Sequence, residues 1–198
     1  MTCAKHVEVH SDTGFRREEN EEGEVDGKAI RGINIIRFGK ESEPLQPSGT
    51  TTRCHLLDQI VGSVKVVVRS TFTAETHGVI GGADNGICIV LTLHEIENGP
   101  VPLREAMDLS DCTGITFGLH CVTDARNLLL FLKNVNMKNP AEKNFIVHLL
   151  WLKNKLEHGV IKSLVWTDTR DMTADGHTKG SIQRTAIHAL MDGKVVIK

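Results

Sequence analysis

Four acidic residues stand in settings that could do chemistry: Asp12 in "HSDTGF", Glu75 in "RSTFTAETHG", Asp124 in "CVTDARN" and Asp175 in "MTADGHTKG". Each has Ser, Thr, Gly or Ala close by, and each falls at the edge of a stretch that reads as regular structure. Carboxylates are hard oxygen donors that suit Mg²⁺, a cation that accepts a few of them and keeps several of its waters. Taken singly, an acid in a small-residue turn has a plainer use. "ADGHTKG" by itself reads as a helix start, with Asp as a favoured N-cap and Gly as a turn residue.

The neighbours of these acids narrow the choice. His10, His77, His120 and His177 each lie within four residues of one of them, but there is no HExxH and no Cys/His pairing, so nothing argues for a dedicated zinc site. His177 reads instead as a candidate for proton transfer or phosphate contact. Lys65, Arg69, Arg126, Lys179 and Arg184 flank the same stretches and are candidate contacts to a nucleic-acid backbone, each equally readable as a solvated surface residue. The glycine-rich "GVIGGADNG" fits neither a dinucleotide-binding nor a P-loop spacing, which argues against a nucleotide cofactor.

The elements that must position the acids can be traced along the chain. "AKHVEVHSD" alternates apolar and polar residues, with Val7, Val9 and Ser11 on one face, and predicts a strand ending at or just beyond Asp12. A charged, hairpin-like connection, "FRREENEEGEVDGK", leads to a second strand in "AIRGINIIRFG". The Pro, Ser, Gly and Thr residues of about 40–52 predict a mobile loop, and "RCHLLDQ" a short third strand. From Ser70 the pattern turns helical, with Ser70 and Thr71 as cap candidates and an end at Asn98–Gly99. Gly78, Gly81, Gly82 and Gly86 each cost about 1 kcal/mol against Ala in a helix interior, so this helix needs tertiary packing or breaks in the middle. "GITFGLHCVTD" predicts a central fourth strand that delivers Asp124 at its end. A helix beginning at "ARNLLLFLKN" follows. Next comes the clearest amphipathic helix, "AEKNFIVHLLWLKNKLEHG", with Phe145, Leu149, Leu152 and Leu156 on one stripe, Trp151 as a core residue and Gly159 as the stop. "VIKSLVWTDT" is a fifth strand and "SIQRTAIHALMDG" a last helix. Three antiparallel strands followed by strands alternating with helices predict an α/β fold, a mixed five-stranded sheet with helices on both faces. In such sheets ligands are held at the ends of the central strands.

Length and composition bound the answer. A chain of 198 residues with 40% apolar composition can bury a sizeable core and reads as a single domain over 1–198, with its core at about 6–193. Lys plus Arg number 23 against 25 Asp plus Glu, so the net charge of −2 makes no global case for a nucleic-acid partner; such a partner must meet a local patch. The five cysteines, Cys3, Cys54, Cys88, Cys112 and Cys121, form no CxxC pair and read as buried thiols of a reducing compartment. With no signal-peptide core and no run of about 18 apolar residues, the expected location is intracellular, cytoplasmic or nuclear.

As an ordered set over this strand and helix pattern, "SDTG", "RSTFTAE", "TDA" and "ADGHTKG" resemble the ribonuclease H fold, and more closely the ribonuclease H domain of copia-type retrotransposon Pol polyproteins. The resemblance runs from about Val7 to Gly193, with "LVWTDTRDMTADGHTKG" as its most telling piece. It implies a metal-dependent endonuclease that hydrolyses the RNA strand of RNA–DNA hybrids. Two Mg²⁺ ions, with Mn²⁺ as the substitute, would stand roughly 3.5 to 4 Å apart to activate water and stabilise the leaving oxygen. On that resemblance Asp12 bridges both metals, Glu75 and Asp124 complete one site, and Asp175, on a flexible turn, swings in to complete the other. The implied partners are the hybrid and a reverse transcriptase segment of the same polyprotein, with no membrane. Two departures stand out: Ala125 where the family usually has Ser, and Gly176–His177 in place of a small or apolar pair. They keep a rival reading open, a catalytically decayed copy retained as a nucleic-acid-contacting or structural module, which a broken Glu75 helix would favour.

Overall fold

The computed structural model describes residues 5–15, 18–19, 25–26, 29–38, 50–66, 68–108, 115–133, 145–179 and 184–197. Its first strand, β1 (Lys5–Phe15), runs three residues past Asp12, and a short antiparallel pair, β2 (Glu18–Glu19) with β3 (Val25–Asp26), forms the charged hairpin expected after it. Strands β4 (Ala29–Phe38) and β5 (Thr50–Ser63) complete an antiparallel meander with β1. Helix α1 (Thr71–Asn98) and the short α2 (Leu103–Asp108) precede β6 (Phe117–Thr123), which pairs parallel to β1. Helices α3 (Arg126–Lys133) and α4 (Ile146–Glu157) lead to β7 (Ile161–Trp166), parallel to β6. A single 3-10 turn (Thr169–Asp171), α5 (Asp175–Thr178), α6 (Thr185–Met191) and β8 (Lys194–Ile197) close the described chain.

The strand order is β7-β6-β1-β4-β5-β8, a mixed sheet with β1 at the switch from parallel to antiparallel neighbours. This is the mixed α/β class expected, with one correction: the main sheet has six strands rather than five. The sixth, β8, was hidden in the short tail "KVVI". β5 is longer than the predicted third strand and starts at Thr50, inside the stretch expected to be a loop at 40–52; the rest of that stretch lies outside the described residues. Its overhanging residues Thr50–Arg53 pair with β8, and Gly193, at φ +72°, makes the reversal out of α6 and accepts a hydrogen bond from the Cys54 amide.

Alternation along β4 divides the core. Ile33 and Ile35 join Val7, Val9, Leu119, Leu128, Phe145, Leu149, Leu152 and Ile161 beneath α1, α3 and α4, whereas Ile36 and Phe38 pack with Leu190 and Val195 on the opposite face. Helices therefore cover both faces of the sheet. Full burial of side chains such as Leu149 and Leu152 contributes about 1.5–3 kcal/mol each. Leu156 is partly buried and Trp151 packs at the edge of the same core. Cysteine placement is more varied than the buried thiols expected: Cys121 is buried and Cys54 half-buried, but Cys88 is exposed on the outer face of α1. Cys3 and Cys112 lie outside the described residues.

The glycines of α1 do not break it. Ser70 caps the first turn by accepting from the Thr73 amide, and the helix runs unbroken to Asn98. By length and composition α1 is the one helix among the described residues that could cross a membrane, yet Thr73, Ala74, Val79, Ala83 and Val90 are buried against the rest of the fold. Gly78, Gly82 and Gly86, four residues apart, share the face pressed onto the sheet. A Cβ on Gly82 would stand 2.7 Å from Val9 Cγ1, and one on Gly86 would stand 2.8 Å from both Val9 Cγ2 and Leu119 Cδ1. The close approach explains what helix propensity alone makes costly. Gly82→Ala is therefore expected to lower stability by about 1–3 kcal/mol despite better helix propensity. Gly62→Ala, with nothing within 4 Å, should be nearly neutral. Urea melts of the two variants check this, and a stabilised Gly82→Ala would show that the helix has room to spare.

Candidate active site

The parallel ladder between β1 and β6 runs from Lys5↔Phe117 to His10↔Val122; two residues further on lie Asp12, still within β1, and Asp124, the residue just after β6. Glu75 comes to the same place from the second turn of α1. One carboxylate oxygen from each of Asp12, Glu75 and Asp124 lies within 4.8 Å of the other two. Asp12 is fully buried, Glu75 and Asp124 half-buried. The Thr13 hydroxyl, one residue on, donates to the Ala74 carbonyl (3.2 Å), so the strand carrying Asp12 is tied to the helix carrying Glu75.

Asp175 lies outside this 4.8 Å group and is joined to it through Lys179. It is the first residue of α5, with Ala174 in the N-cap position, so it is not the cap that a helix start would make of it. In this fold Asp175 is 2% exposed, and its segment is pressed onto the sheet at two glycines. A Cβ on Gly14 would meet the Thr178 carbonyl oxygen at 2.9 Å, and one on Gly32, the register partner of Asp12, would meet His177 Cβ at 2.8 Å and the Ala174 carbonyl oxygen at 2.9 Å. Val122, Met172 and Ala174 form a small buried cluster beneath the approach, and Asn34 Nδ2 donates to Thr173 Oγ1 (3.1 Å).

Lys179 stands among the acids rather than outside them. Its Nζ lies 2.7 Å from Asp175 Oδ1, 3.5 Å from Asp12 Oδ1 and 3.6 Å from Asp124 Oδ2. Thr178 Oγ1 donates to Asp12 Oδ2, and Thr169 Oγ1 donates to Asp124 Oδ2 (3.2 Å). The Trp166 indole N–H donates to the Asp124 backbone carbonyl (3.1 Å). The composition of the site is thus four carboxylates, one ammonium and two orienting hydroxyls.

Crowding like charges out of water raises their affinity for protons. Burial first, then repulsion from Asp12 and Asp124, pushes the Glu75 carboxyl up to about 9, with Lys179 giving partial relief. Burial also pushes Asp175 up to about 7, against the bond from Lys179 and with the Asp12 charge. Asp124 is raised by burial and by Asp12. Among the described residues Glu75 Oε2 and Asp175 Oδ2 are buried with no hydrogen-bond partner, and Asp12 Oδ1 has the Lys179 ammonium alone nearby. Buried, unpaired oxygens on converging carboxylates are the donor set of a hard divalent cation. The residues fit Mg²⁺.

The remaining candidates are dispersed. Arg126 is exposed beside the acids, at an open hollow lined by Thr71, Phe72, Glu75, Asp124, Arg126 and Asn127. Lys65, Arg69 and Arg184 are exposed outside the group. His177 turns to β4 and β5, where its Nε2 lies 3.0 Å from Asn34 Oδ1 and 2.8 Å from Gln59 Nε2, and burial lowers its pKa. Sequence reasoning missed Thr169 and Thr178 altogether and placed Lys179 on nucleic acid. A Lys four residues after a buried Asp on one helical turn was the available signal.

The chain matches no protein-family profile and no curated protein. Among solved structures it is similar to the N-terminal RNase H domain of rv2228c from Mycobacterium tuberculosis, at 12% identity and TM-score 0.46, over 95% of this chain and 97% of that one. It is similar also to RNase H1 from the halophilic archaeon Halobacterium salinarum (9%, 0.46; 94% and 98%). A third is LC11-RNase H1 in complex with an RNA/DNA hybrid (11%, 0.44; 86% and 92%). At these identities and scores the likeness carries no argument about chemistry.

Proposed function

We propose that this protein is a divalent-metal-dependent endonuclease that hydrolyses the RNA strand of RNA–DNA hybrids, as the ribonuclease H part of a copia-type retrotransposon polyprotein. The observation that carries the metal chemistry is the convergence of Asp12, Glu75 and Asp124 within 4.8 Å. The choice of hybrid and of retroelement, with a reverse transcriptase segment as partner, is supported by the order and wording of the four sequence motifs. An unbroken α1 holding Glu75 in the group favours catalysis over a decayed, merely nucleic-acid-contacting module.

Bound Mg²⁺ supplies an activated water and stabilises the leaving oxygen in phosphodiester hydrolysis. Asp12, Glu75 and Asp124 would hold the first ion, and Asp12 with Asp175 a second. Thr178 and Thr169 fix one oxygen each of Asp12 and Asp124, which leaves the other oxygens free to ligate. Arg126, at the mouth of the hollow, is placed to contact a phosphate of the substrate backbone; Lys65, Arg69 and Arg184 offer further contacts without reading sequence.

A labelled RNA–DNA hybrid, beside RNA and DNA duplexes of the same sequence, tests the proposal. Cleavage confined to the RNA strand of the hybrid, present with Mg²⁺ or Mn²⁺ and abolished by chelator, is expected. Equal cleavage of all three substrates, or none with either metal, would overturn it.

A further inference from the structure

We propose that Lys179 is a tethered cation occupying the second-ion position, so that the metal-free site is held together by its ammonium and the second divalent ion enters only by displacing it. The inference rests on the metal-dependent reading above. Its ground is the asymmetry of the cluster: the ammonium lies within 3.6 Å of Asp12, Asp124 and Asp175, whereas among the described residues no ion pair reaches Glu75. On the Glu75 side no cation stands against the group, whereas on the Asp175 side the ammonium already sits on Asp175 Oδ1; Glu75 Oε2 and Asp175 Oδ2 are both left buried and unpartnered. An ammonium is a compact point charge on a flexible four-carbon stem, which suits both holding such a position and leaving it. The Lys179 side chain is one-third exposed, so an outward path exists without rearrangement of the backbone. The backbone of α5, which carries Asp175, is seated closely on Gly14 and Gly32.

The consequence is a site with two unlike affinities. The first ion binds against Asp12, Glu75 and Asp124, while the second competes with a charge permanently present at short range. Calorimetric titration of the intact chain with Mn²⁺ alone, without substrate, reads this directly. The wild-type protein should bind one ion tightly and the second at least about tenfold more weakly than Lys179→Gln does, since removing a neighbouring positive charge at this distance favours the ion. Lys179→Arg, which keeps the charge, should retain the weak second step, and Asp12→Asn should lose both. Equal second-step affinities in wild type and Lys179→Gln, with Asp12→Asn inert, would overturn the inference and leave the metal site standing. Failure of wild type and every variant to bind would overturn both. Should Lys179→Gln not fold, amine labelling of the wild-type chain decides: labelling at Lys179 should rise as the second equivalent of Mn²⁺ binds, and unchanged labelling at saturation would overturn the displacement.

Discussion

Asp12→Asn is expected to abolish hybrid cleavage while leaving the metal-free protein as stable as the wild type or more so. Replacing residues that only orient metal ligands costs about 10–100-fold, so losing a ligand shared by both ions should lower the cleavage rate by more than about a hundredfold. The effect on stability has the opposite sign. Asp12 is fully buried beside Asp124 and Glu75, and its charge raises the proton affinity of both. An amide keeps an oxygen to accept from Thr178 and removes a repelling charge, while Lys179 retains Asp175 at 2.7 Å. A residue that serves the fold would behave differently, because truncating a buried, satisfied group lowers the melting temperature. Cleavage rates and melting curves measured side by side therefore separate the two roles. A variant that melts well below the wild type, or that cleaves normally, would remove Asp12 from the catalytic group.

In metal-free buffer the melting temperature should fall as the pH rises from about 6 to about 9. Glu75 keeps its proton in the folded state up to about 9 but ionises near 4.5 when unfolded, so over that interval the native state binds the extra proton and each rise in pH favours unfolding. Asp175 adds to the loss up to about 7 and then has no more to give. The combined penalty is on the order of a few kcal/mol, or roughly 5–10 °C for a chain of this size. Acid brings a separate loss. Burial and the neighbouring His6 hold His120 down to about 4, so stability is lost as pH falls from 6.5 towards that value. Glu8 is held at about 2 because the bonds from His10 and His6 outweigh its burial, and its contribution disappears as pH falls from about 4.5 to about 2. Mg²⁺ prefers ionised ligands, so the gain in melting temperature on adding it should be larger at pH 9 than at pH 6. Calorimetry across this range, with and without millimolar Mg²⁺, checks both slopes. A metal-free melting temperature that is flat or rising between pH 6 and 9 would mean that the carboxylates do not crowd one another in solution.

Asp12, Glu75 and Asp124 were legible as candidates because each is tied to a local pattern: the later part of one alternating strand, the first turns of a capped helix and the residue after an apolar strand. The alternation that places Val7 and Val9 in the core also carries Asp12 to its position. Lys179 was not legible in the same way. Its partners Asp12 and Asp124 lie far away in sequence, and α5 is too short for a hydrophobic period to reveal. Thr178, bonded to an aspartate 166 residues earlier, is beyond any local pattern. The glycines of α1 misled in a more instructive way. Propensity counts their cost in an isolated helix, and the compensating contacts with Val9 and Leu119 exist only once the sheet has formed. β8 was overlooked because four residues carry too little periodicity, and its reason for being is the overhang of β5.

The seating of the last carboxylate on Gly14 and Gly32 separates the inheritance of the site's chemistry from that of its geometry. A single methyl group at Gly32 would press against His177 and the Ala174 carbonyl, and relief would lift the Asp175–Lys179 turn away from Asp12. No acid would change. One nucleotide substitution in a glycine codon is therefore a route by which a lineage could silence the site with all four carboxylates intact. Among related sequences, the residues at positions 14 and 32 would then distinguish those that can seat Asp175 beside Asp12 from those that cannot, where a count of acids would not.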